Sequence, residues 1–394
     1  MSHKTHPWGL PPWTVDFRPR ARRLPDSVDF AIVGGGFTGL SAAAWLGRLA
    51  PGKSVLVLEA SSLGEGASGR TGGLALAETA AGPLPGLGDV LAGYKKILRD
   101  LRIDARLELR GAYELGRSNP ARDGPICWKD SGDLRVVRTV PGGAVNPGRV
   151  VAGLARAVEL VGAQIAEHAE VQTIEYSNPP RLQVRSSPRG RIAGQEVRAG
   201  QILLATNAFS LGLAGLGGET QPKLTLALAT APLSSAELQS IGLSSRRPFY
   251  TVDLPYLWGR LLESNGIVFG AGLVPIPDSI VSLFTKPGKG ARPFVRRNLY
   301  RFDIQKGESA ERFRWLERRV RHLHPALKSV RITHRWAGPI LFTEGMRPIF
   351  RRHRRSRDVL VLAGYNGHGV ALSVYLGRWA AEALLGCRSL PAWR

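Results

Sequence analysis

The stretch Asp29-Phe30-Ala31-Ile32-Val33-Gly34-Gly35-Gly36-Phe37-Thr38-Gly39 constrains this chain more than any other part of it. The apolar run after Asp29 reads as a parallel strand, because a strand covered on both faces shows no polar alternation. The glycines behind it permit a tight turn, and the Ala-rich segment Leu40 to Leu49 reads as a helix. Val55-Leu56-Val57-Leu58-Glu59 then supplies a second strand. Strand, crossover helix and strand form a right-handed unit whose two strands lie side by side in a parallel sheet. Gly34, Gly36 and Gly39 keep the G-x-G-x-x-G spacing, and Glu59 follows twenty residues after the last glycine. In such a unit the first glycine makes the turn and the second lets backbone N–H groups reach a pyrophosphate at a helix N-terminus. The third lets helix and strand pack closely. A carboxylate at position 59 accepts hydrogen bonds from ribose hydroxyls and repels a 2′-phosphate, so the pattern specifies FAD or NAD rather than NADP.

With 394 residues the chain exceeds what one hydrophobic core usually serves, which predicts two units. Ser61 to Ala77 is dominated by Gly, Ser and Ala and suits the close approach of a ligand to backbone. A helical pattern runs from about Gly86 to Leu107, and Ala112 to Val140 holds short strand-like pieces. Asn146-Pro147-Gly148-Arg149 opens a helix through Leu160, and strands are expected at Ala163 to Ile165, Val171 to Ile174 and Gln201 to Ala205. Between Leu224 and Leu273 longer alternating strands, Tyr256 to Leu261 and Gly266 to Gly270 among them, predict an antiparallel sheet. Glu308 to Leu323 reads as an amphipathic helix stopped by Pro325. Val359 to Ala363, Gly364 to Gly369 and Val370 to Leu385 repeat the order of strand, glycine turn and helix.

A formal charge of +23 suits an acidic partner or a solvated basic surface, and net charge bears on association rather than fold. Its densest cluster, Arg351 to Arg357, reads as a surface loop. The two cysteines, Cys127 and Cys387, belong to no disulfide or metal spacing, which favours a reducing cytoplasm. Met1 to Pro25 has no apolar stretch of signal-peptide length, and no later run approaches a membrane span.

Asp29 to Ala43, Gly66-Ala67-Ser68-Gly69-Arg70-Thr71-Gly72-Gly73, Asn146 to Arg149, Leu204-Ala205-Thr206-Asn207-Ala208 and Gly364-Tyr365-Asn366-Gly367-His368-Gly369-Val370 occur in this order. In these motifs the chain resembles the D-amino-acid oxidase superfamily of FAD-dependent amine oxidoreductases, especially its glycine oxidase, sarcosine oxidase and gamma-glutamylputrescine oxidase branches. The resemblance runs over nearly the whole length. It implies an α/β fold in which a glutathione-reductase-like Rossmann FAD domain carries an antiparallel-sheet substrate domain. The expected division is an N-terminal extension at 1–26, an FAD-binding domain from 27–80, 145–215 and 330–394, and a substrate domain from 81–144 and 216–329.

The resemblance also places residues around one FAD. Gly34, Gly36, Phe37, Thr38 and Gly39 would meet the pyrophosphate, with Glu59 and Ala60 at the ribose. Ala67, Ser68, Gly69, Arg70, Gly72 and Gly73 would line the ring and ribityl chain. Val171 would meet the adenine through its backbone, and Ala205 and Thr206 would back the pyrophosphate. Gly364, Asn366, Gly367, His368, Gly369 and Val370 would bring N–H groups to the pyrimidine side of the flavin, where a helix N-terminus favours negative charge. His368 is read equally as a flavin-tuning group or an ordinary cap. Some relatives tether FAD through a cysteine ahead of the final glycine loop; Trp336 to Pro348 contains none, so FAD is expected to be non-covalent.

In that family a hydride leaves the carbon beside a neutral substrate amine for flavin N5, the imine hydrolyses, and O₂ reoxidises the flavin to give H₂O₂. No triad, carboxylate pair or metal spacing is expected. Tyr256, Trp258 and Arg260 are the candidate substrate wall if they share an inward strand face, with Arg260 on a carboxylate and Arg70 as a rival anchor. Lys223 is the candidate for stabilising reduced oxygen. A small amine or amino acid is the expected substrate. An oxidase acting on a modified tRNA base, a dehydrogenase with another acceptor, and a non-catalytic flavin-fold binding protein are the alternatives, nucleic acid being the less favoured partner.

Overall fold

The computed structural model describes residues 6–117, 124–186, 193–275 and 303–393. The nucleotide motif folds as its pattern predicts: strand Ser27–Val33, helix Phe37–Leu49 and strand Val55–Leu58. Both strands pair in parallel, Phe30 with Val55 through Val33 with Leu58. Their sheet runs in the spatial order Ile349–His353, Ser356–Ala363, Ala193–Leu204, Ser27–Val33, Val55–Leu58, Gln164–Ala166. Along this path the pairings are parallel except at the Ile349–His353 edge, and Arg181–Ser186 and Ala169–Glu175 add antiparallel pairings beside Ala193–Leu204. Ala31, Ile32, Val57, Ile202, Leu203, Val359 and Leu360 are inaccessible to solvent, as the centre of a doubly covered sheet requires. One face is covered by the first helix, by Pro147–Leu160 and by the final helix Gly369–Leu384. Asn146 caps the middle one, its Oδ1 accepting from Arg149 N at 3.3 Å, with Pro147 in the first turn where a missing N–H costs nothing.

A second sheet runs Ile332–Thr343, Thr220–Thr230, Ile267–Pro275, Trp258–Leu261, Phe249–Thr251, Ala112–Gly116, Asp133–Val140, Cys127–Lys129. Its pairings are antiparallel except between Phe249–Thr251 and Ala112–Gly116. Several local details depart from the sequence reading. The helix expected from Gly86 to Leu107 is confined to Val90–Asp100, started by an Asp89 cap. Tyr256 precedes its strand, which begins at Trp258. Ile332–Thr343, within the stretch 330–394 counted with the FAD-binding domain, pairs with Thr220–Thr230 in the second sheet. The arginine cluster is an antiparallel hairpin at the edge of the nucleotide sheet instead of a loop. The N-terminal stretch is not loose either. Trp8 is fully buried, its carbonyl accepting from Ala337 N at 2.8 Å, and the Trp13 indole donates to Gly69 O at 2.7 Å.

The helix Gly307–Leu323 docks on the second sheet through a buried ion cluster. Arg319 donates to both oxygens of Asp130 at 2.7 and 2.6 Å, Arg117 donates to the same carboxylate at 2.5 Å, and the Asp130 side chain is 3% exposed. Arg319 also donates to Pro255 O and Tyr256 O, both at 2.7 Å, while Arg117 pairs with Asp253. One carboxylate and two guanidinium groups therefore hold the loop before Trp258 in place. Removing the carboxylate from a buried cluster leaves cations unpaired, at a cost of about 3–5 kcal/mol. Asp130→Ala is expected to lower the thermal midpoint by several degrees and to loosen this loop, read by circular dichroism and limited proteolysis; an unchanged midpoint would show that solvent already screens the cluster.

Candidate active site

One cavity of about 1330 Å³ runs between the two sheets. It starts at the nucleotide turn, where Gly34 has φ +110°, a conformation glycine adopts without penalty. A Cβ at Gly39 would stand 1.9 Å from Gly34 O, so the helix and strand meet at backbone contact. Gly36 precedes the first helix and faces Ser68, whose Oγ accepts from Phe37 N at 2.9 Å. Glu59 is held by two backbone donors, Gly35 N and Ser61 N, each at 2.9 Å from one of its oxygens. Gly34, Gly36, Phe37, Thr38, Glu59, Ala60, Ala67, Ser68, Arg70, Gly72, Val171, Ala205, Thr206, Asn366, Gly367, His368, Gly369 and Val370 all line the cavity. Gly39, Gly69, Gly73 and Gly364 stand behind that wall and shape the turns. At Gly73, φ is +81° and an added Cβ would lie 2.4 Å from Val145 O.

The last helix starts at this cavity. Asn366 accepts from Thr343 N at 2.8 Å and donates to Gly364 O at 2.7 Å, tying the final glycine turn to the second sheet. The His368 N–H is taken by Tyr365 O at 2.9 Å, so it is not one of the N–H groups offered inward. Burial holds the His368 imidazole below its usual range against the opposing pull of the Asn366 carbonyl, which leaves the ring neutral near pH 7. Buried Tyr365 bonds to Thr38 Oγ1 at 2.6 Å, and desolvation raises its phenol. Two buried polar atoms along the wall, Gln172 Nε2 and Ser373 Oγ, have no hydrogen-bond partner among the described residues. Buried polar groups are normally satisfied, so these two fit a polar ligand.

The candidate substrate residues divide. Trp258 lines the cavity, its ring sandwiched between Gly72 and Gly270, where added Cβ atoms would lie 2.1 and 2.0 Å from it. Tyr256 stands at the mouth, 52% exposed. Lys223 also lines the cavity, its Nζ 5.0 Å from the Phe342 ring centroid. Arg260 is not among the lining residues. Its Nε donates to Gly72 O at 2.5 Å and its Nη1 to Leu261 O at 3.0 Å, with the guanidinium 5.3 Å from the Trp13 ring. Burial lowers its pKa to about 10, still cationic at neutral pH. Arg70 lines the cavity, but its guanidinium donates to the carbonyls of Glu65 at 2.9 Å, Gly9 at 2.8 Å and Ala337 at 3.2 Å. The Nε and Nη1 donors of both arginines thus go to backbone carbonyls, a structural use that the sequence reading of a carboxylate anchor did not anticipate. Sequence reasoning missed Tyr250, Phe209, Leu213, Trp315 and Trp336 as cavity walls, because they come from segments whose convergence is long-range.

A parallel sheet, a dinucleotide turn and a cavity reaching an antiparallel sheet define a flavoprotein-type oxidoreductase fold. The chain belongs to the FAD dependent oxidoreductase (DAO) family, whose match spans residues 29–383. It is therefore an FAD-binding oxidoreductase. Among relatives, the gamma-glutamylputrescine oxidoreductase of Escherichia coli (strain K12) is 26% identical over 91% of this chain and 84% of that protein. The probable oxidoreductase OrdL of Rhizobium meliloti (strain 1021) is 27% identical over 95% of this chain and 87% of its own length. In fold, the chain is similar to the glycine oxidase of Geobacillus kaustophilus, with a TM-score of 0.66 at 19% identity covering 94% and 97% of the two chains. An L-amino acid deaminase from Proteus myxofaciens, in complex with anthranilate, superposes with a TM-score of 0.67 at 14% identity, covering 98% and 95%. Among the described residues no helix is long and apolar enough to cross a membrane, and no His, Cys, Asp and Glu cluster could hold a metal ion.

The contact at Gly39 gives a direct test. Because the overlapping atom belongs to the backbone, Gly39→Ala must push the helix off the strand, at a cost of about 3 kcal/mol. The variant is expected to purify with little flavin, read from the ratio of flavin to protein absorbance; full occupancy would show that the turn tolerates a methyl group.

Proposed function

We propose that this chain oxidises the C–N bond of a small amine or amino acid, with O₂ as the final acceptor. The observation that carries the proposal is the continuity of the cavity, from the Glu59 loop past the final helix to Trp258, Lys223 and the mouth at Tyr256. The names of the relatives add support, since those proteins act on a glutamylated amine, glycine or an amino acid. Glu59 is assigned to the ribose hydroxyls, Val171 and Gln172 to the adenine end, and the turns at Gly34–Thr38 and Ala205–Thr206 to the pyrophosphate. The segments Ala67–Gly73 and Gly364–Val370 are assigned to the ring end. Neither Cys127 nor Cys387 lines the cavity, which supports non-covalent FAD. Both thiols are free and exposed, which supports a reducing, cytoplasmic setting. The discontinuous FAD-binding unit is proposed to take its third part from Ile349 onward, since the preceding strand pairs in the other sheet.

Bound FAD supplies a two-electron acceptor. The chain supplies a wall and a dry site: Trp258 is immobilised between two glycines, and Leu254, Pro255 and Leu257 narrow the approach. Apolar surroundings oppose a charged ammonium, so the substrate amine is held neutral with its lone pair available. Lys223 is also assigned to the stabilisation of reduced oxygen.

Anaerobic addition of primary, secondary and N-methylated amines and of D- and L-amino acids is expected to bleach the flavin bands with one class, and air to restore them with release of peroxide. Bands that no amine bleaches would overturn the proposal. Lys223→Met is expected to slow reoxidation by air about 10²-fold, as the loss of one preorganised positive group does elsewhere, while anaerobic reduction changes little. A change confined to the reductive step would instead move Lys223 to the substrate side.

A further inference from the structure

On the far side of the segment that walls the flavin cavity lies a second cleft of about 230 Å³. It is lined by the turn 212–215, by Tyr176 and by Arg351, His353, Arg354 and Arg355 of the edge hairpin. Apart from Leu213, nothing in the oxidoreductase reading uses these residues. Three arginines line the cleft, and among the described residues Glu219 is the carboxylate paired with them. Arg351 meets Glu219 at 2.8 Å and Arg354 meets it at 2.7 Å. Arg355 has no acidic partner among the described residues; its guanidinium lies 4.7 Å from the Tyr176 ring centroid. Stacking uses the flat face of a guanidinium and leaves its N–H edge for an oxyanion, the geometry that favours arginine for phosphate.

The floor of the cleft is set by one chain of hydrogen bonds. His353 Nδ1 accepts from Arg355 N at 3.2 Å, and its Nε2 lies 3.2 Å from Tyr176 Oη. Tyr176 Oη donates to Leu213 O at 3.0 Å. Since Nδ1 accepts and the phenol hydrogen is already committed, Nε2 carries the proton and the ring is neutral. Burial, then the neighbouring Arg355, Arg351 and Arg354, hold its pKa below the usual range, in agreement with that tautomer. The two rings stack in parallel, centroids 4.5 Å apart and planes 7° from parallel. Arg355 therefore rests on a braced platform, which reduces the ordering cost of binding.

We propose that this cleft binds a tetrahedral oxyanion, the phosphate of a small molecule, with Arg355 as its principal ligand and Arg351 and Arg354 as its flanks. Excess positive charge around one cavity is compensated by such an anion. Leu213 lines both this cleft and the flavin cavity, so the occupant bears on a shared wall.

Isothermal titration of the FAD-saturated protein with inorganic phosphate, chloride balancing the ionic strength, tests the assignment. Saturable binding near one equivalent is expected, weakened at least tenfold by Arg355→Gln while flavin content and thermal midpoint stay unchanged. Phenyl phosphate distinguishes the source: tighter binding than phosphate assigns a monoester whose organic part uses the Leu213 side, and equal binding assigns the free anion. No saturable heat, or unaltered binding by Arg355→Gln, overturns the proposal. A short RNA binding far more tightly than either probe, and independently of Arg355, overturns it in favour of a diffuse basic surface.

Discussion

The first helix lies so near the first strand that a methyl group at Gly39 would stand 1.9 Å from the carbonyl oxygen of Gly34. This approach sets where the helix begins, and with it the position of the Phe37 N–H that Ser68 receives at 2.9 Å. It also leaves room for the loop after Val55–Leu58 to turn back, so that the Glu59 carboxylate accepts from Gly35 N. Two later segments, at Glu59 and Ser68, are thereby registered against one turn. Side chains larger than hydrogen would separate them by more than a hydrogen bond tolerates. The remaining walls of the cavity are then added to a rigid edge.

Buried arginine fastens distant segments together. Arg70 and Arg260 direct their described donors at backbone carbonyls, Arg319 divides its donors between the Asp130 carboxylate and two carbonyls, and each is nearly inaccessible to solvent. A guanidinium inside a protein is tolerable only when its five donors find acceptors. Turns that present several carbonyls at once supply them without a matching number of carboxylates. Part of the +23 charge is thus structural, carried by buried residues that hold the backbone. Sequence alone could not show this use of Arg260 and Arg70: residue type and position suggest a ligand, whereas their described acceptors belong to the protein.

The nucleotide unit was legible because its strands are buried on both faces and its turn demands glycine; each signal is local. The order of strand, turn and helix around Val359 to Leu385 was legible for the same reason. What escaped depends on partners distant in the chain. Alternation placed Tyr256 on a strand with Trp258, yet the backbone there is pulled into a loop by Arg319, sixty-three residues later. Ile332–Thr343 is apolar at its centre like a nucleotide-sheet strand, and only its register with Thr220–Thr230 shows where it belongs. Arg351 to Arg357 looked like a loop because it is charged throughout, although an edge hairpin needs apolar residues on one face only. Trp8 and Trp13, in a proline-rich leader, carried no periodicity at all. Their burial follows from carbonyls and indoles that meet Arg70 and Trp336 across the fold.

The two segments assigned to the ring end of the cavity have shared supports. The Asn366 amide joins the final glycine turn to Thr343, the end of a second-sheet strand, and Trp336 on that strand donates to Arg70 O at 2.8 Å. The Arg70 guanidinium in turn holds Gly9 and Ala337. A displacement of the Ile332–Thr343 strand would therefore move both the turn assigned to the pyrimidine side and the segment assigned to the ring. Positioning is the chain's main contribution to a reaction whose electron acceptor is a cofactor. A frame common to both segments ties their relative position to one strand of the second sheet.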